Sequence, residues 1–168
     1  MISIMVEQLS EKFICLINQN LGIAYKVTGI YFHDADERAD GLQEMMYQLW
    51  KAFPTFDGRA RFSTWMYRVC LNTALTYKRK SATWKSEPLS PNHYQIADNP
   101  PGNQEELIAL LRNAIAHLSE LNKAIVLLYL EEMSYDEIAL VTGLTRSNVS
   151  VRLVRIKREL EMHVKQQI

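Results

Sequence analysis

Apolar side chains recur through most of the chain at intervals of three and four, the spacing that gives a helix one buried stripe. In "ADGLQEMMYQLWKAF" that stripe is Leu42, Met45, Met46, Leu49 and Phe53, and Pro54 predicts where the helix ends. Upstream, Phe13, Ile14, Ile17 and Leu21, followed by Ile23, Ala24, Val27 and Ile30, predict one or two further helices. Downstream, "PTFDGRARF" reads as a turn tightened by Asp57-Gly58. The run "STWMYRVCLNTALTYKRK" then predicts a helix capped by Ser63, with Met66, Val69, Cys70, Thr73 and Tyr77 facing the core. Lys78, Arg79 and Lys80 suit its last turn, where the helix dipole is negative.

The period stops between Ser81 and Asn103, a stretch holding four of the five prolines, and resumes beyond it. Such a composition predicts a linker. Leu107, Ile108, Leu110, Leu111, Ile115 and Leu118 form the next helix face, and "ELNKAIVLLYLEEM" a more apolar helix capped by Ser119. In "SYDEIALVTG", Ser134 and Glu137 have the spacing of a capping box, and Gly143 stands where a helix ends in a left-handed residue. Thr145 can cap the helix that follows, whose stripe is Val149, Leu153, Ile156 and Leu160. Two short capped helices about a glycine-containing turn predict a helix-turn-helix. The expected fold is therefore all-α: two small helical domains, 1–80 and 105–168, joined by a flexible linker over 81–104, the second a helix-turn-helix.

Charge sharpens this picture. The 168 residues carry no formal net charge, yet residues 51–80 hold seven basic side chains against one acidic, and residues 145–168 hold six against two. Acidic sequence precedes each block, a segregation better suited to two nucleic-acid contacts than to general solubility. With 48% hydrophobic and 23% charged residues the chain should bury real cores. The longest apolar run, Ala124 to Leu130, is far short of the ~20 residues that span a bilayer. The N-terminal stretch lacks a signal peptide's basic region, so no membrane insertion and a cytoplasmic location are expected. Cys15 and Cys70 lie in apolar periodic segments without a metal or redox motif and are expected to be buried reduced thiols. The four histidines are scattered, and no metal is expected.

With these pieces assembled, "ADGLQEMMYQLWKAFPTFDGRARFSTWMYRVCLNTAL" and "LSELNKAIVLLYLEEMSYDEIALVTGLTRSNVSVRLVRIKREL" resemble domains two and four of the extracytoplasmic-function sigma factors, members of the sigma-70 family of bacterial RNA polymerase. The resemblance covers nearly the whole chain. It implies an alternative sigma factor that binds core RNA polymerase and directs promoter recognition and DNA melting, with an anti-sigma factor as a further partner and no cofactor.

The resemblance also implies a set of residues. The run Asp40-Gly41-Leu42-Gln43-Glu44 matches the family's clamp-docking helix, so Asp40, Gln43, Glu44, Tyr47 and Gln48 are expected to bind core polymerase. Gly41 departs from the leucine often found there, at roughly 1 kcal/mol of helix propensity. For the minus-ten element, Phe56 and Asn72 would line a base pocket walled by the loop of Arg59 and Arg61. Trp65 and Tyr67 would stand at the fork of the bubble, and Arg68 and Arg79 would supply cations. For the minus-thirty-five element, Arg146, Ser147, Ser150, Val151 and Arg155 are the base-facing candidates, with Arg152 and Arg158 on phosphates. By the same resemblance the linker would thread the polymerase cleft.

Three alternatives remain at this point. An ordinary helix-turn-helix regulator would account for residues 105–168 but leave the aromatic and basic block of 56–80 without a task. An adaptor would bind polymerase without promoter activity. An enzyme could use the acids of "HDADER", residues 33–38, to hold a divalent cation, although acids at a helix start need only the helix dipole to explain them. No Gly-rich phosphate loop, nucleophile-base pair or HExxH motif supports catalysis.

Overall fold

The computed structural model describes residues 2–84 and 103–167, and every regular element among them is helical. The chain divides into two compact units, Met1–Lys80 and Ser81–Ile168.

The first unit begins with one long helix, α1 (Ile2–Tyr31), where the sequence allowed one or two. Ile17, Ala24, Val27, Thr28 and Tyr31 are buried, and half-buried Asn20 and Leu21 complete the i, i+3, i+4 series, so nothing in the stripe calls for a break. Ile14, expected in that stripe, is exposed. Helix α2 (Ala35–Ala52) opens at Asp34, whose Oδ1 accepts from the backbone N–H of Asp36 at 2.7 Å and of Glu37 at 3.1 Å. The acids of residues 33–38 thus form a helix start. Helix α2 buries Gly41, Met45 and Leu49, and a 3-10 turn over Phe53–Thr55 takes the chain past Pro54.

Helix α3 (Phe62–Trp84) starts one residue before Ser63, placing that serine inside the first turn rather than at the cap. It also runs to Trp84, four residues into the stretch read as linker; residues 85–102 lie outside the described residues. Its buried residues include Thr64, Met66, Tyr67, Cys70, Leu71 and Ala74, whereas Val69, Thr73 and Tyr77 are half-buried. The core stripe is rotated from the expected one because Tyr67, Leu71 and Ala74 offer a more apolar adjoining row. An aromatic cluster gathers the unit: Phe53 lies 5.1 Å from Phe13, 6.3 Å from Trp65 and 6.4 Å from both Phe56 and Phe62, centroid to centroid.

In the second unit α4 (Asn103–Ala116), α5 (Glu120–Leu130) and α6 (Tyr135–Thr142) all pack on α7 (Arg146–Gln167). Val149, Leu153 and Ile156 are buried and Leu160 half-buried, the stripe the sequence predicts. The caps also match. Ser119 Oγ accepts from Asn122 N–H at 3.3 Å, and Ser134 and Glu137 close a full capping box. Gly143 has φ +74°, and Thr145 Oγ1 accepts from Asn148 N–H at 3.2 Å.

Two features of this unit differ from expectation or lie beyond it. On α4, Leu107, Ile108 and Leu111 are exposed, and only Ala114 and the following Leu118 are buried. At the end of α5, Met133 N–H reaches Leu128 C=O at 3.2 Å and Glu132 N–H reaches Tyr129 C=O at 3.0 Å. This is a Schellman closure with Glu132 (φ +58°) in the left-handed position that usually falls to glycine.

Candidate nucleic-acid and protein-binding surfaces

On α2, Asp40, Gln43, Glu44 and Tyr47 are exposed, Tyr47 at 57%, while Gln48 is half-buried and donates from Nε2 to Glu44 Oε1 at 2.8 Å. Residues three, four and seven apart share a helix face, so the five form one surface opposite Met45 and Leu49. A polar, acidic face with one large ring suits a basic protein partner.

The loop after α2 is held by its own chemistry. Asp57 Oδ1 accepts from Arg59 N–H at 3.0 Å, Gly58 takes φ +74°, and Arg59 Nε lies 3.0 Å from Asp57 Oδ2. Arg59 remains largely exposed, and Arg61 is exposed at the entrance to α3. From there Arg68, Asn72, Thr76 and Arg79 run along the solvent side of α3. Trp65 and Phe56, 5.3 Å apart, are both half-buried and both built into the aromatic cluster. They serve packing, and Trp65 stands three and seven residues before Arg68 and Asn72, on the same side of α3.

Tyr67 requires a correction: it is 2% exposed and belongs to the core of the first unit. At helical spacing it points away from Arg68 and Asn72, so its ring cannot meet a strand in this arrangement. Tyr77, one of the aromatics the sequence offers for stacking, and Lys78 tie α3 to the start of α2. Lys78 Nζ lies 3.6 Å from Glu37 and 5.1 Å from the Phe32 ring centroid. Desolvation, with the nearby charges of Asp40, Glu37 and Asp34, holds the Tyr77 hydroxyl above its ordinary pKa.

The two cysteines part company. Cys70 is buried, and desolvation pushes its thiol from an ordinary 9.0 up to about 12. Cys15 is exposed on α1, contrary to expectation, with its sulfur 3.5 Å from Gln19 Nε2. Two residues before Ile17, it falls on the side of α1 opposite the buried stripe, the face that meets solvent.

On α7 the cationic face is presented outward. Arg146, Ser147, Val151, Arg155 and Arg158 are exposed, with Val151 and Val154 about half uncovered at 50% and 49%. Ser150 and Arg152 are half-buried. Arg146 lies 3.9 Å from Asp136, a long contact between exposed side chains that is worth little. Lys157 is turned aside: its ammonium donates to Tyr129 Oη at 3.1 Å, which raises its pKa, and sits 4.6 Å from that ring's centroid.

Two residues of this surface escaped the sequence reading. Asn148 is exposed in the first turn of α7, seven residues before Arg155 and so on the same face. That spacing was the available signal. Asn122 reaches the face from α5, a proximity no local pattern announces. A second such pairing is the stack of His117 on His163, 5.2 Å between centroids, joining the end of α4 to α7.

Among the described residues, no group of three or more His, Cys, Asp or Glu is arranged to hold a metal ion, and no helix is long and apolar enough to cross a membrane.

Comparison with known proteins gives the same pair of units a common source. Residues 16–84 match the family Sigma-70 region 2, and residues 108–160 match Sigma-70, region 4. The chain is 27% identical over 155 residues to RNA polymerase sigma-H factor of Pseudomonas aeruginosa, covering 82% of this chain and 79% of that one. It is 28% identical over 138 residues to ECF RNA polymerase sigma-E factor of Escherichia coli, covering 74% and 72%. It is also 27% identical to ECF RNA polymerase sigma factor SigG of Mycobacterium tuberculosis, of whose length it spans 44%. Among solved structures, CnrH in complex with the cytosolic domain of CnrY aligns with a TM-score of 0.69 at 19% identity, covering 95% of this chain and 91% of that one. The sigma factor RpoE in complex with the anti-sigma factor NepR from Bartonella quintana aligns at 0.65 and 15%, covering 95% and 98%. These two likenesses concern the fold.

Proposed function

Since the chain belongs to the sigma-70 family, as an extracytoplasmic-function type sigma factor directing promoter-specific transcription initiation, we propose how its parts divide that work. Residues 1–80 bind core RNA polymerase and open the minus-ten element, residues 81–104 tether the two domains, and residues 105–168 read the minus-thirty-five element. The outer face of α2, with Asp40, Gln43, Glu44, Tyr47 and Gln48, docks on the polymerase. On α3 and its preceding loop, Arg59, Arg61, Arg68, Asn72 and Arg79 meet the opened strand beside the uncovered parts of Phe56 and Trp65. On α7, Arg146, Ser147, Ser150, Val151 and Arg155 face the bases, while Arg152 and Arg158 hold phosphates.

The observation that carries this reading is the row of Arg68, Asn72, Thr76 and Arg79 on the solvent side of α3. A duplex-only regulator has no use for cations and an amide beside aromatic rings, whereas single-strand capture needs both. The chain supplies recognition and strand opening and leaves bond formation to the polymerase. It acts in the cytoplasm, where its polymerase and promoters are. An anti-sigma factor covering the α2 and DNA-facing surfaces would hold it inactive, a partnership supported by the complexes of its structural neighbours.

The test mixes the purified chain with core polymerase from its own source, scoring co-elution and transcript starts on fragmented genomic DNA. Starts that share two spaced upstream elements are expected. Specific duplex binding by the chain alone, without co-elution, would return the protein to the ordinary regulators.

A further inference from the structure

An open groove of about 410 Å³ runs along one edge of α7, lined by Asn148, Val151, Arg152, Arg155 and Glu159 and, from α5, by Asn122. Asn122 is the single lining residue that α7 does not supply. Its Oδ1 accepts from Arg152 Nη1 at 3.3 Å, a bond between residues thirty apart in sequence. Arg152 is half-buried, in contrast to the exposed Arg155 beside it.

A free arginine side chain gives up close to 2 kcal/mol of rotamer entropy when fixed, so an arginine already held spends less of its contact energy on ordering. A guanidinium has five N–H donors in a planar fork. The bond to Asn122 engages one and orients the plane that carries the rest. A base reader must extend into the major groove, whereas a side chain tied at the helix flank reaches the sugar-phosphate edge. Glu159, about two turns beyond Arg152, disfavours an anion at the far end of the groove and leaves the Asn148 end for it.

We propose that Asn122 is a positioning residue for promoter recognition, holding the Arg152 guanidinium so that its remaining N–H groups meet a DNA phosphate flanking the bases read by α7. The inference rests on the reading of α7 as the helix that enters DNA.

The experiment measures binding of a duplex carrying the upstream element to the full chain assembled on core polymerase, across a salt series. It compares the natural chain with Asn122→Ala, Asn122→Gln, Arg152→Ala and the Asn122→Ala/Arg152→Ala double variant, with thermal unfolding of each as a check on folding. Arg152→Ala is expected to weaken binding and to reduce the slope of log K against log salt by about 0.9. Asn122→Ala is expected to weaken it roughly fivefold, as for one hydrogen bond, with the slope unchanged because the charge remains. Asn122→Gln should recover part of the loss, and the double variant should bind no more weakly than Arg152→Ala. Natural affinity in Asn122→Ala, or independent losses that add in the double variant, would overturn the inference alone. No upstream-element affinity in the natural complex would overturn the reading of α7 and this inference together.

Discussion

Gly41 and Phe32 are fitted to each other: a Cβ on Gly41 would lie 2.8 Å from Phe32 Cδ2 and 3.0 Å from Cζ, inside contact distance. Phe32 is fully buried, with the Tyr77 ring in a T-shaped contact at 5.1 Å between centroids and the Lys78 ammonium over its ring. The glycine, in the run proposed to dock on polymerase, therefore makes room for the buried Phe32 ring. Gly41→Ala should destabilise the first unit by about 1–3 kcal/mol through overpacking, against the roughly 1 kcal/mol that alanine brings in helix propensity. Urea unfolding of the full chain measures it, and adding Phe32→Leu should recover part of the loss. A stabilised Gly41→Ala would refute the fit.

Thiol chemistry separates the cysteines. A disulfide reagent under native conditions should modify Cys15 quickly and Cys70 only after unfolding, because Cys70 is both covered and held protonated. The folded pKa of Cys70 lies above the unfolded one, so its contribution to stability is present below about 9.0 and is lost as pH rises towards about 12. Two equally fast equivalents at neutral pH would contradict the burial.

Glu132 closes the end of α5 at φ +58°. Glu132→Gly should stabilise the second unit by about 0.5–1 kcal/mol, relief of left-handed strain outweighing the added chain entropy. By contrast, Ser134→Ala should cost about 1 kcal/mol by opening the capping box. Both are read from denaturant midpoints, and the opposite signs distinguish a strained corner from a satisfied one.

Asn72 and Tyr67 lie five residues apart on α3 with opposite surroundings, one exposed and the other buried. Asn72→Ala should cut promoter opening about tenfold or more with polymerase binding intact, on the scale of one lost base-directed contact of 1–3 kcal/mol. Tyr67→Phe should leave opening unchanged, while Tyr67→Ala should lower the melting temperature. Permanganate footprinting of the bubble and thermal unfolding keep the two effects apart. An opening defect in Tyr67→Phe with normal stability would restore Tyr67 to the strand-facing set.

The faces of α2 and α7 should fail separately. Glu44→Lys is expected to reduce co-elution with core polymerase severalfold by reversing charge at the docking surface. Arg155→Ala should leave co-elution unchanged and weaken upstream duplex binding by about 1–3 kcal/mol. Loss of co-elution in Arg155→Ala would indicate that α7 serves the polymerase instead.

Much of this was legible in the sequence wherever the determinant was local. The stripe of α7, the capping box of Ser134 and Glu137 and the left-handed Gly143 each depend on residues within one or two turns, and each is present. What escaped depended on neighbours from elsewhere in the chain. The rotation of the α3 core onto Tyr67, Leu71 and Ala74 was a choice between two adjoining rows. Burial of Cys70 but not Cys15 turned on which side of its helix each falls. The fit of Phe32 over Gly41, the His117 and His163 stack and the Asn122 to Arg152 bond join residues far apart in sequence, and no period records them.

The turn between α6 and α7 is fixed at both ends, by Gly143 and by Thr145, the start of α6 is fixed by Ser134 with Glu137, and α7 is seated by Val149, Leu153 and Ile156. None of these side chains is on the face that carries Ser147, Val151, Val154, Arg155 and Arg158. Folding and the proposed reading of DNA thus draw on separate sets of residues within one helix. On that proposal a lineage can rewrite the letters this surface would recognise, one position at a time, while the scaffold that aims it stays as it is.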